Sequence, residues 1–288
     1  MPENNRFALV GKMPLRKLKN TVRLVAIPLL FSGFLAACSS DDAVEDYQEE
    51  AVQVLYNRAL VQLNNEDYLL AARSFDEVER QHPYSVWSTK AQLMSSFAYY
   101  QSNKYDQAIL AADRFIELHP GNKDVPYAYY LIAISYYEQI TGVGRDQKVT
   151  RQALEALQKV VRRFPNTEYA RDARLKIDLT RDHLAGKEME IGRYYLNSKQ
   201  YVAAINRFRQ VIERFQTTTH VPEALHRLTE AYLALGVTDE AQNAAAVLGY
   251  NFPGSEWYQD SYALLDDNYL KPEVDEDSWL VKTWKKVF

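Results

Sequence analysis

Cysteine is almost absent from this 288-residue chain: Cys38 is the only one. A disulfide framework and a thiolate metal cluster are both excluded, so stability has to come from an apolar core. Long apolar runs are missing too. The stretch 24–35 has twelve residues, whereas a helix needs about 20 to cross a hydrocarbon core. Histidine is scarce and scattered. His82 and His119 each precede a proline, His183 stands apart, and His220 and His226 are six apart, on different faces of any helix; this gives no metal-ligand pattern. No G-x-S-x-G elbow, P-loop or H-E-x-x-H occurs. Glu188 and Glu190, two apart, face different ways on a helix and read as solvated. The chemistry to be expected is binding, not catalysis.

Basic charge is short in most of the chain. Residues 1–37 hold six of the 34 Lys and Arg but one of the 38 Asp and Glu, leaving 28 basic and 37 acidic residues, a net charge of −9. Such a surface does not suit phosphate backbones, so no nucleic acid partner is expected, and charge gives no attraction to anionic headgroups. Tyrosine is plentiful, at 21 residues, and its apolar body with a polar tip suits half-buried faces and wet grooves.

The first 37 residues read as a leader. Lys12, Arg16, Lys17, Lys19 and Arg23 form a positive region, the short apolar run follows, and Met13 offers a second initiator. Leu35-Ala36-Ala37-Cys38 then resembles the bacterial lipobox. That resemblance implies cleavage before Cys38, an S-diacylglycerol on its sulfur and an N-acyl chain. No other cofactor is expected. Acyl chains in this number anchor a protein stably without a span. Ser39, by the sorting pattern of Gram-negative lipoproteins, implies the outer membrane, with the body in the periplasm. Residues 38–47 read as a linker.

From 48 to 270 the chain repeats itself. Counting from Tyr68, Tyr105, Thr150, Tyr201 and Thr238, position +3 is always alanine, position +7 is Phe75, Ala112, Leu157, Phe208 or Ala245, and position +10 is Val78, Phe115, Val160, Val211 or Leu248. Offsets of three, seven and ten trace one helical stripe. Position +15 is proline in four of five units and Gln216 in the fourth, and proline ends a helix. A second apolar-periodic stretch precedes each start, so the unit is helix A, turn, helix B. Starts are spaced by 37, 45, 51 and 37 residues, near the 34 of tetratricopeptide repeats. The predicted fold is all-α, a superhelix of about five such repeats. The 45 is taken up by a Gly-bearing loop at 141–149. The 51 adds nearly four helical turns, which predicts one long helix from about Glu168 to Asn197, with Gly186 and Gly192 as weak points. Residues 258–268 read as a capping helix. Residues 271–288 read as an acidic hinge and an amphipathic tail with Trp279, Leu280, Trp284, Val287 and Phe288. Docking on the last repeat is its first reading and partner binding its second; occupation of the chain's own substrate pocket by the terminal Phe288 is a third.

Several stretches resemble the BamD/ComL family of outer-membrane lipoproteins. They are Phe97-Ala98-Tyr99-Tyr100, the segment 113–120 ending Leu118-His119-Pro120, Phe164-Pro165-Asn166-Thr167-Glu168-Tyr169 with Asp172-Ala173, Glu188 with Tyr194-Tyr195, and Ala204-Ile205-Asn206-Arg207. Gln216 and the Trp-bearing tail depart from the pattern. The resemblance implies a scaffold of the β-barrel assembly machinery. Its N-terminal repeats would hold unfolded barrel proteins through a C-terminal aromatic signal. Its C-terminal repeats would bind the last periplasmic domain of BamA, and other Bam lipoproteins are further possible partners. Carried over by position, Tyr99, Tyr100, Tyr129 and Tyr130 become substrate-pocket candidates and Arg207 a BamA-binding candidate. Because the tyrosines come in adjacent pairs, one of each pair must turn inward. The competing reading is a repeat adaptor for a periplasmic hydrolase, a protease or a pilus secretin.

Overall fold

The computed structural model describes residues 49–285, so Cys38 and Phe288, with the readings placed on them, lie outside the described residues. Twelve helices form among the described residues. The first, third, fifth, seventh and ninth are A helices: α1 (Val52–Asn64), α3 (Val86–Gln101), α5 (Val125–Glu138), α7 (Glu168–Asn197) and α9 (Val221–Leu235). Each packs on its following B helix: α2 (Tyr68–Gln81), α4 (Tyr105–Leu118), α6 (Lys148–Arg163), α8 (Tyr201–Arg214) and α10 (Thr238–Asn251). Then come α11 (Glu256–Asp267) and the short α12 (Trp279–Trp284). A helices mostly touch the next A helix as well, as in α1–α3, α3–α5, α5–α7 and α9–α11. Successive A helices thus form one face, and grooves open between successive B helices on the other.

The periodic stripe is the core. All five +3 alanines, the five +7 residues and the +10 residues are buried. Removing the large ones from water is worth roughly 1.5–3 kcal/mol each. A second small position, not drawn from the sequence above, lies nine residues before each B start: Ala59, Ser96, Gly192 and Thr229, with Ala133 as its counterpart in α5, all buried. It lets the A helix approach the B helix. Ser96 uses the closeness to donate from its hydroxyl to the carbonyl of Ala108, 2.9 Å away.

The turns repeat as faithfully. Glu66, Asn103, Lys199 and Gly236, each two residues before a B helix, take φ of 65°, 58°, 58° and 74°. Asn103 N–H donates to Tyr100 and Lys104 N–H to Tyr99, the paired bonds of a left-handed helix end. B helices leave through His82, His119, Phe164, Phe215 and Phe252, all with φ near −131°. Phe215 shares this although Gln216 follows it, so packing of the next A helix holds the exit even without proline.

Helix α7 is a single 30-residue helix capped by Thr167, whose Oγ1 accepts from Ala170 N–H. Gly186 and Gly192 do not interrupt it; each is a place of close approach. The nearest atom to a Cβ on Gly186 would be the His220 ring at 3.1 Å. The tail docks: Leu280, Val281 and Trp284 are buried in the C-terminal core with Trp279 against it. His226 is also buried there, with its Nδ1 2.9 Å from the Ser261 hydroxyl and its ring on Trp257. Burial first, and then Arg227, lowers its pKa, against the pull of Glu230, Asp260 and Glu223. The folded chain therefore binds this proton less readily than the unfolded chain, whose histidine titrates near 6.5. Stability from a neutral His226 is present above that pH and lost as pH falls below it. His226→Gln is expected to flatten the fall in Tm between about pH 6.5 and pH 5, in thermal melts followed by circular dichroism.

Candidate functional site

The four candidate tyrosines do not make one pocket. Adjacent residues on a helix point about 100° apart, and the two pairs split between the two faces. Tyr100 and Tyr130 belong to the A-helix face and there meet Tyr127 and Tyr169, which reading by pairs missed although Tyr127 is one turn before Tyr130. The Tyr169 ring lies 5.4 Å from that of Tyr127 and 5.3 Å from that of Tyr130. Tyr100 packs on Tyr105 at 5.9 Å. The Tyr130 hydroxyl donates to Asp172 Oδ2 at 2.6 Å, and Lys176 lies 3.0 Å from the same oxygen while stacking over Tyr137. Helices α3, α5 and α7 thus supply a patch of phenol rings edged by Glu138 and Asp172.

Its electrostatics are set by partial burial. Burial first, then Glu138, pushes the Tyr100 phenol up to about 12. Burial also raises Tyr127, and burial together with Asp172 raises Tyr130. Asp172 moves the other way: burial works against its charge, but the Tyr130 hydroxyl and Lys176 hold its carboxyl below the usual range. At neutral pH the patch is neutral phenols beside the charged Asp172. It offers stacking surface and phenol oxygens that can accept from backbone N–H groups.

Tyr99 and Tyr129 face the B-helix grooves. Tyr99 donates to Asp76 Oδ2 at 2.6 Å; burial, then Asp76, pushes its phenol up to about 12. Tyr129 is buried against Phe164, with Lys159 over its ring at 4.7 Å and Arg163 bonded to its hydroxyl. Each pair thus divides between the two faces, as the angular step between neighbours requires.

Arg207, on α8, is ion-paired within the chain to Glu188 of α7 at 3.1 Å, with about a third of its side chain exposed. A neighbouring network joins α7 to α9: Arg193 lies 2.8 Å from Glu223, and Arg227 bridges Glu223 and Glu230. Tyr194 beside it is 66 % exposed. Among the described residues no group of His, Cys, Asp and Glu is arranged to hold a metal, and no helix is long and apolar enough to cross a membrane.

Comparison with known proteins follows the same lines. In the solved structure of a tetratricopeptide-repeat protein of Thermus thermophilus, 74 % of this chain aligns with 98 % of that one at 18 % identity and a TM-score of 0.35. "Outer membrane protein assembly factor BamD" of Caulobacter vibrioides is 57 % identical over 229 residues, 80 % of this chain and 75 % of that protein. Its namesake in Rickettsia prowazekii is 44 % identical over 242 residues, 84 % and 94 % of the two chains. The model of the family YfiO, described as "Outer membrane lipoprotein", matches residues 48–248. With the helical repeats and this match over most of its length, the chain belongs to the YfiO family of outer-membrane lipoproteins.

Proposed function

We propose that this chain is the repeat scaffold of β-barrel assembly at the outer membrane, held there by lipid on Cys38 and facing the periplasm. Its A-helix tyrosine patch receives unfolded barrel proteins, and the α7–α8 region carrying Arg207 meets BamA. The observation that carries the reading is the patch itself: four phenols gathered from three helices, kept protonated, beside charged Asp172. An unfolded barrel strand offers free backbone N–H groups and aromatic side chains, which phenol oxygens and ring faces match.

Tyr100→Ala with Tyr130→Ala is expected to weaken binding of a peptide copied from a barrel C-terminus by at least tenfold in fluorescence anisotropy. Unchanged affinity would move the substrate site elsewhere. For BamA, Arg207→Glu is expected to reduce co-purification from detergent-solubilised envelopes. Because Arg207 also holds Glu188, the swap Glu188→Arg with Arg207→Glu separates the roles. It restores the internal pair, and recovery of BamA with the swap would leave Arg207 a structural residue only. Breaking a desolvated pair at such a contact costs on the order of 2–5 kcal/mol of binding.

A further inference from the structure

One groove of the B-helix face is already filled, by the chain itself. Between α8 and α10 the tail lays Trp279 under Arg209, whose guanidinium is 3.9 Å from the ring. Ser278 donates to Glu240 at 3.1 Å, Asp275 N–H donates to Asn243 Oδ1 at 2.6 Å, and Tyr232 lies in the core cluster against which Trp279 packs. Counted from the B-helix starts, these wall residues are position +8 of the first helix and +2 and +5 of the second, and the floor is the tyrosine six before the second start.

The groove between α2 and α4 has walls at the same positions and a tyrosine at the same floor position, and is open. Asp76 is at +8, Gln107 and Leu110 at +2 and +5, and Tyr99 is the floor; together with Pro83 and Ala111 they line a cleft of about 560 Å³. Leu110 is 68 % exposed. The next groove, between α4 and α6, repeats the wall positions with Asp113 and, counted from Thr150, Gln152 and Glu155; Tyr136 also lines it, set back by the loop at 141–149. The sign at +8 is what changes: Arg209 in the filled groove, Asp76 and Asp113 in the open ones. The tail enters its groove behind Glu273, Asp275, Glu276 and Asp277, a lead-in that suits an arginine and is repelled by an aspartate. The two cations of the α2–α4 cleft are engaged, Arg114 with Glu79 and Arg80 with Glu77. Asp76 accepts from the hydroxyls of Tyr99 and Ser95, which satisfy its oxygens without bringing a charge.

We propose that the α2–α4 groove docks a short amphipathic helix of a second protein, with an aromatic anchor over Tyr99 and Leu110 and Lys or Arg facing Asp76. The mode is a helix in a groove, and the charge at +8 keeps the chain's own tail out while admitting a basic relative of it. The inference does not rest on the tyrosine patch, which lies on the A-helix face.

Two peptides test it on the full mature chain carrying Cys38→Ser. One copies residues 275–285; the other differs by Asp275→Lys, Glu276→Lys and Asp277→Lys. The basic peptide is expected to bind saturably in fluorescence anisotropy, at least tenfold tighter than the acidic one. Leu110→Glu should weaken it tenfold or more without loss of helicity, and Asp76→Asn should shrink the preference between the two peptides. Equal binding of both peptides, no binding of either, or indifference to Leu110→Glu would each overturn the proposal, the last by placing the peptide in the tail's own groove.

Discussion

Gly192→Ala is expected to destabilise the chain by about 1–3 kcal/mol, the range for adding a methyl group to a filled core. A Cβ at this position would stand 2.4 Å from Phe208 Cε1 and 2.8 Å from two further atoms of the same ring. Neither side can yield easily. Phe208 is fully buried among Ala185, Met189, Leu225 and Leu228, and Gly192 is fixed in the middle of the last turns of α7. A glycine inside a helix normally costs up to about 1 kcal/mol against alanine, so the ordinary substitution rule predicts a gain here, and the contact reverses its sign. Urea unfolding should show a lower midpoint, and the melting temperature should drop by several degrees, at roughly 2–4 °C per kcal/mol for a chain of this size. Phe208→Leu in the same molecule is expected to recover part of the loss, because it vacates the space the methyl group needs. A stabilised Gly192→Ala protein would mean that α7 and α8 are farther apart than described.

The second large effect is expected at the tail. Trp284→Ala should cost about 3 kcal/mol, the low end for removing a buried tryptophan. Its ring is 7 % exposed and packs edge-on against Phe252 at 5.9 Å. In a stack where each repeat leans only on its neighbours, the loss is local. Hydrogen exchange should accelerate in α8 and α10 while α2 to α5 keep their protection. Uniform acceleration would show instead that the repeats unfold as one unit, and unchanged exchange that the tail is not docked in solution.

The B helices were legible because their pattern is dense: alanine at +3, a bulky or small apolar residue at +7, another at +10 and a proline stop leave little room for another reading. The long α7 was legible from arithmetic, since nearly four whole turns can be inserted without rotating the apolar face. The small A-helix position was harder to see, because four residue types share it. Its sense emerges only in pairs: Phe208 stands opposite Gly192, and Phe75 matches Ala59 by register, whereas Ala112 and Ala245 match the larger Ser96 and Thr229. The larger B-helix residue meets the smaller A-helix one, a relation visible only when the two helices are paired. The tyrosine patch was half legible. Resemblance pointed to Tyr100 and Tyr130, but Tyr127, Tyr169 and the bond to Asp172 depend on how α5 lies against α7, which no single helix encodes. Arg207 shows the same limit from the other side, since its partner Glu188 lies nineteen residues away on another helix.

Helix α7 has one further consequence. Its first half contributes Ala173 and Ile177 to the central core cluster, and its second half Ala185 and Met189 to the C-terminal one. At 1.5 Å per residue it is a strut about 45 Å long. Tyr169 and Asp172 sit at one end, and Glu188, the partner of Arg207, two-thirds of the way to the other. A strut seated in two cores cannot pivot at one seat without loading the other: a tilt of about 5° displaces its far end by roughly 4 Å. Whatever presses on the tyrosines therefore leans, through a single unbroken beam, on the surface around Arg207.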